Sequence, residues 1–260
     1  RVVTQMSGDT GAIALGQRVR DIDSDDLKLA TNTAIDEQAA RTGNKEVMET
    51  SVDVATSIKD AEKQVQANEN AHKTYEEMGA SDETKKARAE VVGSRIGDYH
   101  EDAQLSVDET ERKFDIEDAY NLAASQAIQN VASKNQTEMV QRTINSGNED
   151  AMTNVADHAY ELDPDNVEDV VNMLKEQGSE KTKQALEEAK TRYEEQAKRD
   201  KETAEAKKAE AERAKAAQAE AEKAKAKEQE QQAKAQTQQA TKNTQTVAKG
   251  DGQQAKTSFS

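Results

Sequence analysis

The sequence predicts an all-α fold: elongated helical hairpins or a bundle, then a long charged C-terminal helix, single or in a coiled coil, and a disordered tail. Hydrophobic residues make up 33% of the chain, aromatic residues 3% and charged residues 34%, which is too little for a large globular core. Pro164 is the single proline, and no stretch alternates like paired strands. Residues 201–231 contain only Ala, Lys, Arg, Glu, Gln and one Thr, all but the last strong helix formers.

Composition also limits the function. Without cysteine the chain has no disulfide, thiolate metal site or cysteine nucleophile. No stretch reaches the roughly 18 uninterrupted apolar residues of a membrane span. The net charge of −16 repels phosphate and anionic lipid and favours a basic partner. We therefore expect protein partners, including self-association through helices, with no nucleic acid, no direct membrane insertion and no small-molecule substrate.

Changes in composition divide the chain into five segments. Three glycines in 1–23 indicate a loose N-terminal segment, and Ser24 begins a region of acidic helices as an N-cap. The predicted order is a loose segment 1–23, an acidic bundle or hairpin region 24–146, a helix-turn-helix 147–178, a charged strut 179–234 and a disordered tail 235–260.

The clearest long period predicts one helix with a coiled-coil seam. Polar Ser51, Asn68 and His72 interrupt this seam, which favours an antiparallel hairpin or bundle over a strong zipper. The large seam residues are Val47, Val54, Ile58, Val65 and Tyr75.

Two further helices are predicted before the hairpin. The first runs from Ser81 to about Val92, and the glycines of GSRIG, residues 93–97, indicate a turn after it. Ser106 and Glu109 form a capping box that predicts a helix of nearly forty residues, ending near Gly147.

The segment 147–178 has the strongest local pattern. Asp163 and Pro164 predict a break followed by a helix start, because proline lacks the N–H of a helix interior but suits a first turn. One apolar face follows at helical spacing, and Gly178 ends the helix. The hairpin residues are Pro164, Val167, Val170, Val171 and Leu174.

This segment resembles part of a tetratricopeptide repeat, whose second helix ends in an A-x-E-L-D-P-x-N pattern. The resemblance covers about twenty residues, and the next helix lacks the Trp, Gly and Tyr of that repeat. No second copy is evident, so the pattern is interpreted as a helix turn and no peptide-binding residues are carried over. The matching residues are Ala159, Glu161, Leu162, Asp163, Pro164 and Asn166.

The strut has three alternative interpretations: a coiled coil, a nucleic-acid arm and a solvated single helix. An alanine seam buries too little surface for strong pairing, and neither a basic surplus nor stacking aromatics supports nucleic-acid binding. Seven opposite-charge neighbours, such as Glu188 with Arg192 and Glu222 with Lys225, favour the solvated helix. A coiled coil needs a partner that supplies the large residues.

No catalytic, cofactor or metal site is predicted. His72, His100 and His158 lie far apart without a second ligand at helical spacing. The acids around Pro164 lack EF-hand spacing, and no nucleophile elbow or phosphate loop is present. Asn135 begins a formal glycosylation triplet within a predicted helix. Paired acids occur without an apolar pocket to displace their pKa values, so an enzyme is not expected.

These observations lead to three functional expectations. The first is a non-enzymatic structural component of a large assembly, in particular an internal or ejected virion protein of a phage. The second is a spacer or interaction region of a bacterial envelope machine for conjugation or secretion. The third is a peptide-binding helical adaptor. The corresponding locations are a virion interior, the bacterial periplasm or the cytoplasm.

Overall fold

The computed structural model describes residues 8–113 and 116–258, without the side chains of Glu117 and of 246–258. In these residues it contains helices and no strand, so the all-α prediction with a long C-terminal helix is confirmed. The chain divides into two units, Arg1–Glu194 and Glu195–Ser260.

Eleven α-helices occupy the described residues, and short 3-10 turns lie at Ile96–Asp98, Ile128–Asn130 and Ala159–Glu161. The helices are α1 (Gly8–Arg20), α2 (Asp25–Thr42), α3 (Lys45–Thr56), α4 (Ala61–Glu77), α5 (Asp82–Ser94), α6 (Glu101–Arg112), α7 (Glu117–Gln126), α8 (Ser133–Asn145), α9 (Glu149–His158), α10 (Pro164–Gln177) and α11 (Glu180–Ser258).

The helices of the first unit form a stack of five hairpins: α1–α2, α3–α4, α5–α6, α7–α8 and α9–α10. Each odd-numbered helix packs against the next odd-numbered helix, and each even-numbered helix packs against the next even-numbered one. The start of α11 occupies the next odd-numbered place, since Lys181 pairs with Asp150 of α9 at 3.0 Å and Leu186 is buried. This neighbour-on-neighbour arrangement is that of a helical solenoid.

Three buried glutamines join successive hairpins in the same way. Each lies four residues after the N-cap of an even-numbered helix and donates from Nε2 to a carbonyl of its own preceding loop. Each then accepts at Oε1 the backbone N–H of the next even-numbered helix's N-cap. Gln64 accepts from His100 at 2.8 Å, Gln104 from Ala132 at 3.1 Å and Gln136 from Asp163 at 3.1 Å. We call Gln64, Gln104 and Gln136 the glutamine links.

An aspartate at a different position, one residue after the N-cap, makes the corresponding bond in the first hairpin. The carboxylate of Asp25, at the start of α2, accepts the backbone N–H groups of Lys59 at 3.2 Å and Asp60 at 3.1 Å. Asp60 is the N-cap of α4, so the first two hairpins are tied at the same level as the others. These bonds satisfy loop N–H groups that would otherwise need water or another partner.

The core of the stack consists mainly of small and branched side chains. Its largest apolar members with less than 2% exposure include Tyr120, Ile35, Met48, Ile96 and Leu174. Each hairpin packs only against its neighbours, so the stack does not need one thick core built from large side chains. A chain with 3% aromatic residues can therefore fold over nearly two hundred positions.

Gly93 lies inside α5 rather than at the turn that the GSRIG pattern predicts. A Cβ atom at this position would lie 2.8 Å from the carbonyl oxygen of Tyr120 and 2.9 Å from the backbone nitrogen of Ala124. Both atoms belong to α7, so the two helices approach each other through the missing side chain.

The structure differs from the sequence-based prediction in the N-terminal half. Residues 8–20 of the predicted loose segment form α1 and bury Ala12 and Val19; its first seven residues lie outside the described part. The predicted seam helix is divided at residues 57–60, where Ser57 ends α3 and Asp60 begins α4. The predicted helix of nearly forty residues is divided into α6, α7 and α8. The apolar periodicity of the sequence continues across these breaks, because each break is caused by a single polar capping residue.

The structure also changes the interpretation of the repeat-like segment. Asp163 caps α10, Pro164 stands in its first turn, and α9 and α10 form a hairpin as the pattern predicts. The same helix, short turn and helix recur in the preceding hairpins, although the sequence pattern of 159–166 is not repeated in them. Residues 235–245, assigned to the tail, are helical, and the remaining tail prediction over 246–260 lies outside the residues with described side chains.

Candidate functional site

The second unit presents a long charged helical surface. From 195 to 245 every side chain of α11 is exposed except Ala209, which is half-buried. This stretch contains 10 acidic and 12 basic residues and no apolar residue larger than alanine. It therefore has no apolar stripe of the kind that packs against a core or a strong coiled-coil partner.

The ion pairs predicted along this helix are not formed. Across the described side chains of α11, none of the seven predicted neighbour pairs comes within ion-pair distance, whereas Lys234 and Glu230 lie 3.3 Å apart. Exposed pairs contribute little because ordering two long side chains costs entropy. The strong helix propensity of alanine, lysine and glutamate is thus the main local support of the helix.

The predicted seam and hairpin residues lie mostly in the core. Val65 and Val167 are half-buried and Pro164 is exposed. The other seven are buried, with exposures of 8% or less, and their role is packing: Val47, Val54, Ile58, Tyr75, Val170, Val171 and Leu174. Leu174, at 0% exposure, is fully buried and does not face solvent.

A buried ionic cluster joins three helices of the stack. Arg88 of α5 donates from Nη1 to Oε1 of Glu111 in α6 at 2.9 Å, and from Nη2 to Oδ1 of Asn68 in α4 at 2.7 Å. His72 of α4 contacts the same Glu111 oxygen through Nε2 at 2.7 Å. The guanidinium carbon of Arg88 also lies 5.6 Å from the ring centroid of Tyr75. We call these five residues the Arg88 cluster.

Burial and pairing oppose each other in this cluster. Burial lowers the pKa of His72, although Glu111 pulls it upward, so the neutral imidazole is favoured and donates to Glu111. Burial would raise the pKa of Glu111, but Arg88 and His72 outweigh it and hold the pKa below its ordinary value. The cluster therefore contains one charged pair, Arg88 with Glu111, at 6% and 0% side-chain exposure.

A second buried carboxyl group lies in α2 beside α3. Burial raises the pKa of Asp36 to about 6, against the opposing effects of Arg88 and Ser51. The Ser51 hydroxyl lies within bonding distance of both Asp36 and Asn32 Oδ1, the latter at 2.7 Å. One hydroxyl proton serves only one acceptor, so a protonated Asp36 that donates to Ser51 leaves the Ser51 hydroxyl free to donate to Asn32. Asp36 Oδ2 has no hydrogen-bond partner among the described residues. Buried acids with displaced pKa values therefore exist, contrary to the expectation from the sequence.

The three histidines have separate roles, and the described residues contain no cluster of three or more His, Asp or Glu side chains placed to hold a metal ion. His100 caps α6 by accepting the N–H of Asp102 at 3.1 Å, and His158 Nδ1 lies 2.5 Å from Glu161. Asn135 of the glycosylation triplet is buried and donates to the carbonyl of Glu101 at 2.7 Å, so the folded protein does not expose this amide.

A cavity of about 270 Å³ lies beside the Arg88 cluster, between the end of α4 and the start of α5. A second, more open concavity of about 340 Å³ lies on the odd-numbered helices α3, α5 and α7. Its floor is apolar at Val91, Ala119 and Leu122, and its edges carry Lys45 and Glu90. None of the helices in the described part of the chain contains the long apolar stretch that a bilayer span requires.

Sequence reasoning found part of this arrangement. Asn68 and His72 were identified as polar residues that interrupt an apolar seam, but their partners in the cluster were not predicted. Arg88 and Glu111 gave no such signal, because charged residues are frequent throughout the chain and neither lies in a distinct pattern. No family model, curated protein or solved structure matches the chain.

Proposed function

We propose that the protein is a non-enzymatic structural component of a large assembly, in which a stack of helical hairpins provides a folded platform and a charged helix provides spacing. The observation that carries this proposal is the composition of 195–245, which combines strong helix formers with full exposure and no apolar stripe. The exposed side chains of such a segment contribute no packing energy, so its structural role lies in the defined length of the helix.

The distance across this helix tests the proposal. The chain has no cysteine, so Lys201→Cys and Gln239→Cys introduce two unique labelling positions, both in the second unit. A continuous helix separates the two Cα atoms by about 57 Å at 1.5 Å per residue. A flexible coil of the same length has a root-mean-square separation of about 31–37 Å. Pulsed electron–electron double resonance between spin labels at these two cysteines of the full chain measures this distance.

A matched control replaces 202–238 with a Gly/Ser segment of equal length between the same two labels. We expect a narrow distribution near the helical distance in the first chain and a broad, shorter one in the control. A broad, short distribution in both chains would remove the spacer role. A helical distance accompanied by concentration-dependent sedimentation would indicate a coiled coil with a second chain instead.

Within this class, an internal or ejected virion protein of a phage is the narrower proposal. An ejected protein has to unfold and refold. A chain without cysteine has no disulfide that restrains unfolding, and the buried side chains here are mostly small. The doubly labelled chain extends the test, because dilution from urea should restore both the helicity and the 57 Å distance. A chain that aggregates on dilution would favour the spacer of a bacterial envelope machine, which has no need to unfold.

The stacked hairpins favour a second candidate, a peptide-binding helical adaptor. Helical solenoids commonly bind partners across the surface formed by one set of their helices, and the open concavity lies on such a set. Leu122, half-buried on its floor, is the apolar residue most suited to contact a peptide.

Selection of a displayed random-peptide library on the full chain tests this candidate. Leu122→Asp should weaken a selected peptide by about tenfold or more, as expected for an apolar anchor. Leu27→Asp is the control, because Leu27 is 43% exposed in α2, away from the concavity. Equal binding by both variants, or no enriched peptide, would argue against the adaptor.

A further inference from the structure

Three buried polar side chains meet where the first hairpin packs against α3. Asn32 and Asp36 lie about one helical turn apart on α2, and both contact Ser51 of α3. All three residues are buried, with exposures of 5% or less. The Ser51 hydroxyl lies 2.7 Å from Oδ1 of Asn32 and within bonding distance of Oδ1 of Asp36. The proposed platform and spacer roles make no use of this contact.

The contact has too few hydrogen-bond donors for an ionised carboxylate. Oδ1 of Asp36 shares the single Ser51 proton with Asn32, and Oδ2 of Asp36 has no hydrogen-bond partner among the described residues. A buried carboxylate stays ionised when several donors or a bonded cation compensate its loss of water. A proton on Oδ1 of Asp36 is donated to the Ser51 oxygen, and Ser51 then donates to Asn32. The protonated contact therefore has a chain of two hydrogen bonds, whereas the ionised contact has one proton for two acceptors.

Burial governs the protonation of Asp36. It raises the pKa of this carboxyl from its ordinary value of 3.8 to about 6, against the opposing effect of Arg88 on α5. The guanidinium of Arg88 bonds to Glu111 and Asn68 rather than to Asp36. Glu37, the adjacent residue of α2, raises the pKa of Asp36 further. The nearest cation is thus engaged elsewhere, and the proton remains the main means of removing the buried charge.

The other elements around α2 bring no compensating charge to Asp36 in the described part of the chain. Tyr75 and His72 of α4, and Tyr99 before α6, are held neutral by burial, which raises the pKa of each tyrosine hydroxyl and lowers that of the imidazole. On α1 and α3 every charged side chain is exposed or half-buried, and the half-buried ones are Asp9, Glu49 and Asp53.

Asp36 belongs to the terminal hairpin of the stack. The pair α1–α2 packs against α3 and α4, and no other described hairpin covers its opposite side. The end unit of a solenoid contacts one neighbour instead of two, so it opens at a lower free-energy cost than an internal unit. An ionised carboxylate at 1% exposure regains water when α2 moves away from α3. Loss of one proton therefore weakens the attachment of this hairpin.

We propose that Asn32, Asp36 and Ser51 form a proton-dependent clamp, which holds the first hairpin on the stack in mildly acidic solution and loosens it near neutral pH. The pKa of Asp36 is higher in the folded chain than in the unfolded chain. Its contribution to stability is therefore complete below the unfolded value and is lost as the pH rises through about 6. His72 acts in the opposite direction, since burial lowers its pKa, so a variant at Asp36 is needed to isolate the clamp.

Hydrogen exchange of the full chain, resolved by mass spectrometry, tests the clamp. Protection factors of α2 and α9 are compared at about pH 5 and about pH 7.5, after correction for the intrinsic exchange rate. We expect α2 protection to be about tenfold lower at the higher pH, the effect of one carboxyl with a folded pKa of about 6, and α9 protection to change much less.

Two results in the unaltered protein would overturn the proposal. Equal α2 protection at both pH values would mean that Asn32 donates its amide to Ser51 beside an ionised Asp36. An equal loss of protection in α9 would mean that the whole unit responds to pH, without a clamp on the first hairpin.

Matched variants assign the effect to Asp36. Asp36→Asn places an amide donor where the protonated acid donates, so it should abolish the pH difference in α2 and keep the protection seen at about pH 5. Asp26→Asn removes a carboxyl from the same helix at 86% side-chain exposure and should leave the difference in place. Ser51→Ala removes the partner of both α2 residues and should lower α2 protection at about pH 5 by about fivefold to tenfold. A full pH difference in Asp36→Asn, or unchanged protection in Ser51→Ala, would refute the clamp.

Discussion

Replacing Arg88 with alanine is expected to lower the free energy of unfolding of the first unit by about 3–5 kcal/mol. Arg88 is 5% exposed, and its guanidinium bonds to Glu111 and Asn68, which belong to the neighbouring helices α6 and α4. Its removal leaves the carboxylate of Glu111 buried, with His72 as its remaining partner among the described residues. A buried charge without compensation costs far more than the net value of the original pair.

Urea denaturation followed by tyrosine fluorescence measures this effect, because Tyr75, Tyr99 and Tyr120 are buried in the first unit and the long helix contributes little to the signal. Lys86→Ala, an exposed change on the same helix, should stay within about 0.5 kcal/mol. Arg88→Ala with equally small loss of stability would mean that water or a local rearrangement satisfies Glu111.

Replacing Gln104 with alanine is expected to lower the free energy of unfolding of the first unit by about 3 kcal/mol. Its Oε1 accepts the N–H of Ala132 at 3.1 Å and the amide of Asn135 at 2.9 Å, while its Nε2 donates to the carbonyl of Tyr99 at 3.1 Å. The substitution therefore leaves two donors and one acceptor without their partner in the interior. Each such group costs on the order of 1–3 kcal/mol unless water reaches it.

Two further variants distinguish the loss of the Gln104 hydrogen bonds from a simple loss of packing. Gln104→Glu retains the acceptor for Ala132 but replaces the donor to Tyr99 with an oxygen, so a large loss of stability is expected here also. Gln184→Ala, an exposed glutamine of α11, should change stability by less than about 0.5 kcal/mol. A small effect of Gln104→Ala in the urea experiment would contradict a linking role for this glutamine.

The sequence predicted the secondary-structure class and several local features for physical reasons that act over short distances. The caps at Ser24, Ser81 and Asp163 each accept a backbone N–H in the following first turn, as single-residue patterns indicate. The long helix follows from propensity summed over many residues. Such features need no knowledge of the tertiary fold.

The stacking and the buried cluster depend on longer-range contacts. Gln64, Gln104 and Gln136 share a position relative to their N-caps, but glutamine also suits exposed helix positions, so sequence alone gives no reason to bury it. Arg88 and Glu111 are separated by 23 residues on different helices, outside any helical spacing rule. Their burial was unpredictable because charged residues are buried only when a partner, supplied by the fold, is present.

The glutamine links have a consequence for natural variation in chain length. The even-numbered helices begin at residues 25, 61, 101, 133 and 164, so successive starts are 31 to 40 residues apart, and the glutamine links themselves are 40 and 32 residues apart. Each link joins one hairpin to the following one through the same kind of bond, and a duplicated or deleted hairpin would bring its own donor and acceptor with it. Descendants of this gene could therefore grow or shrink in blocks of that size while every junction stays chemically complete.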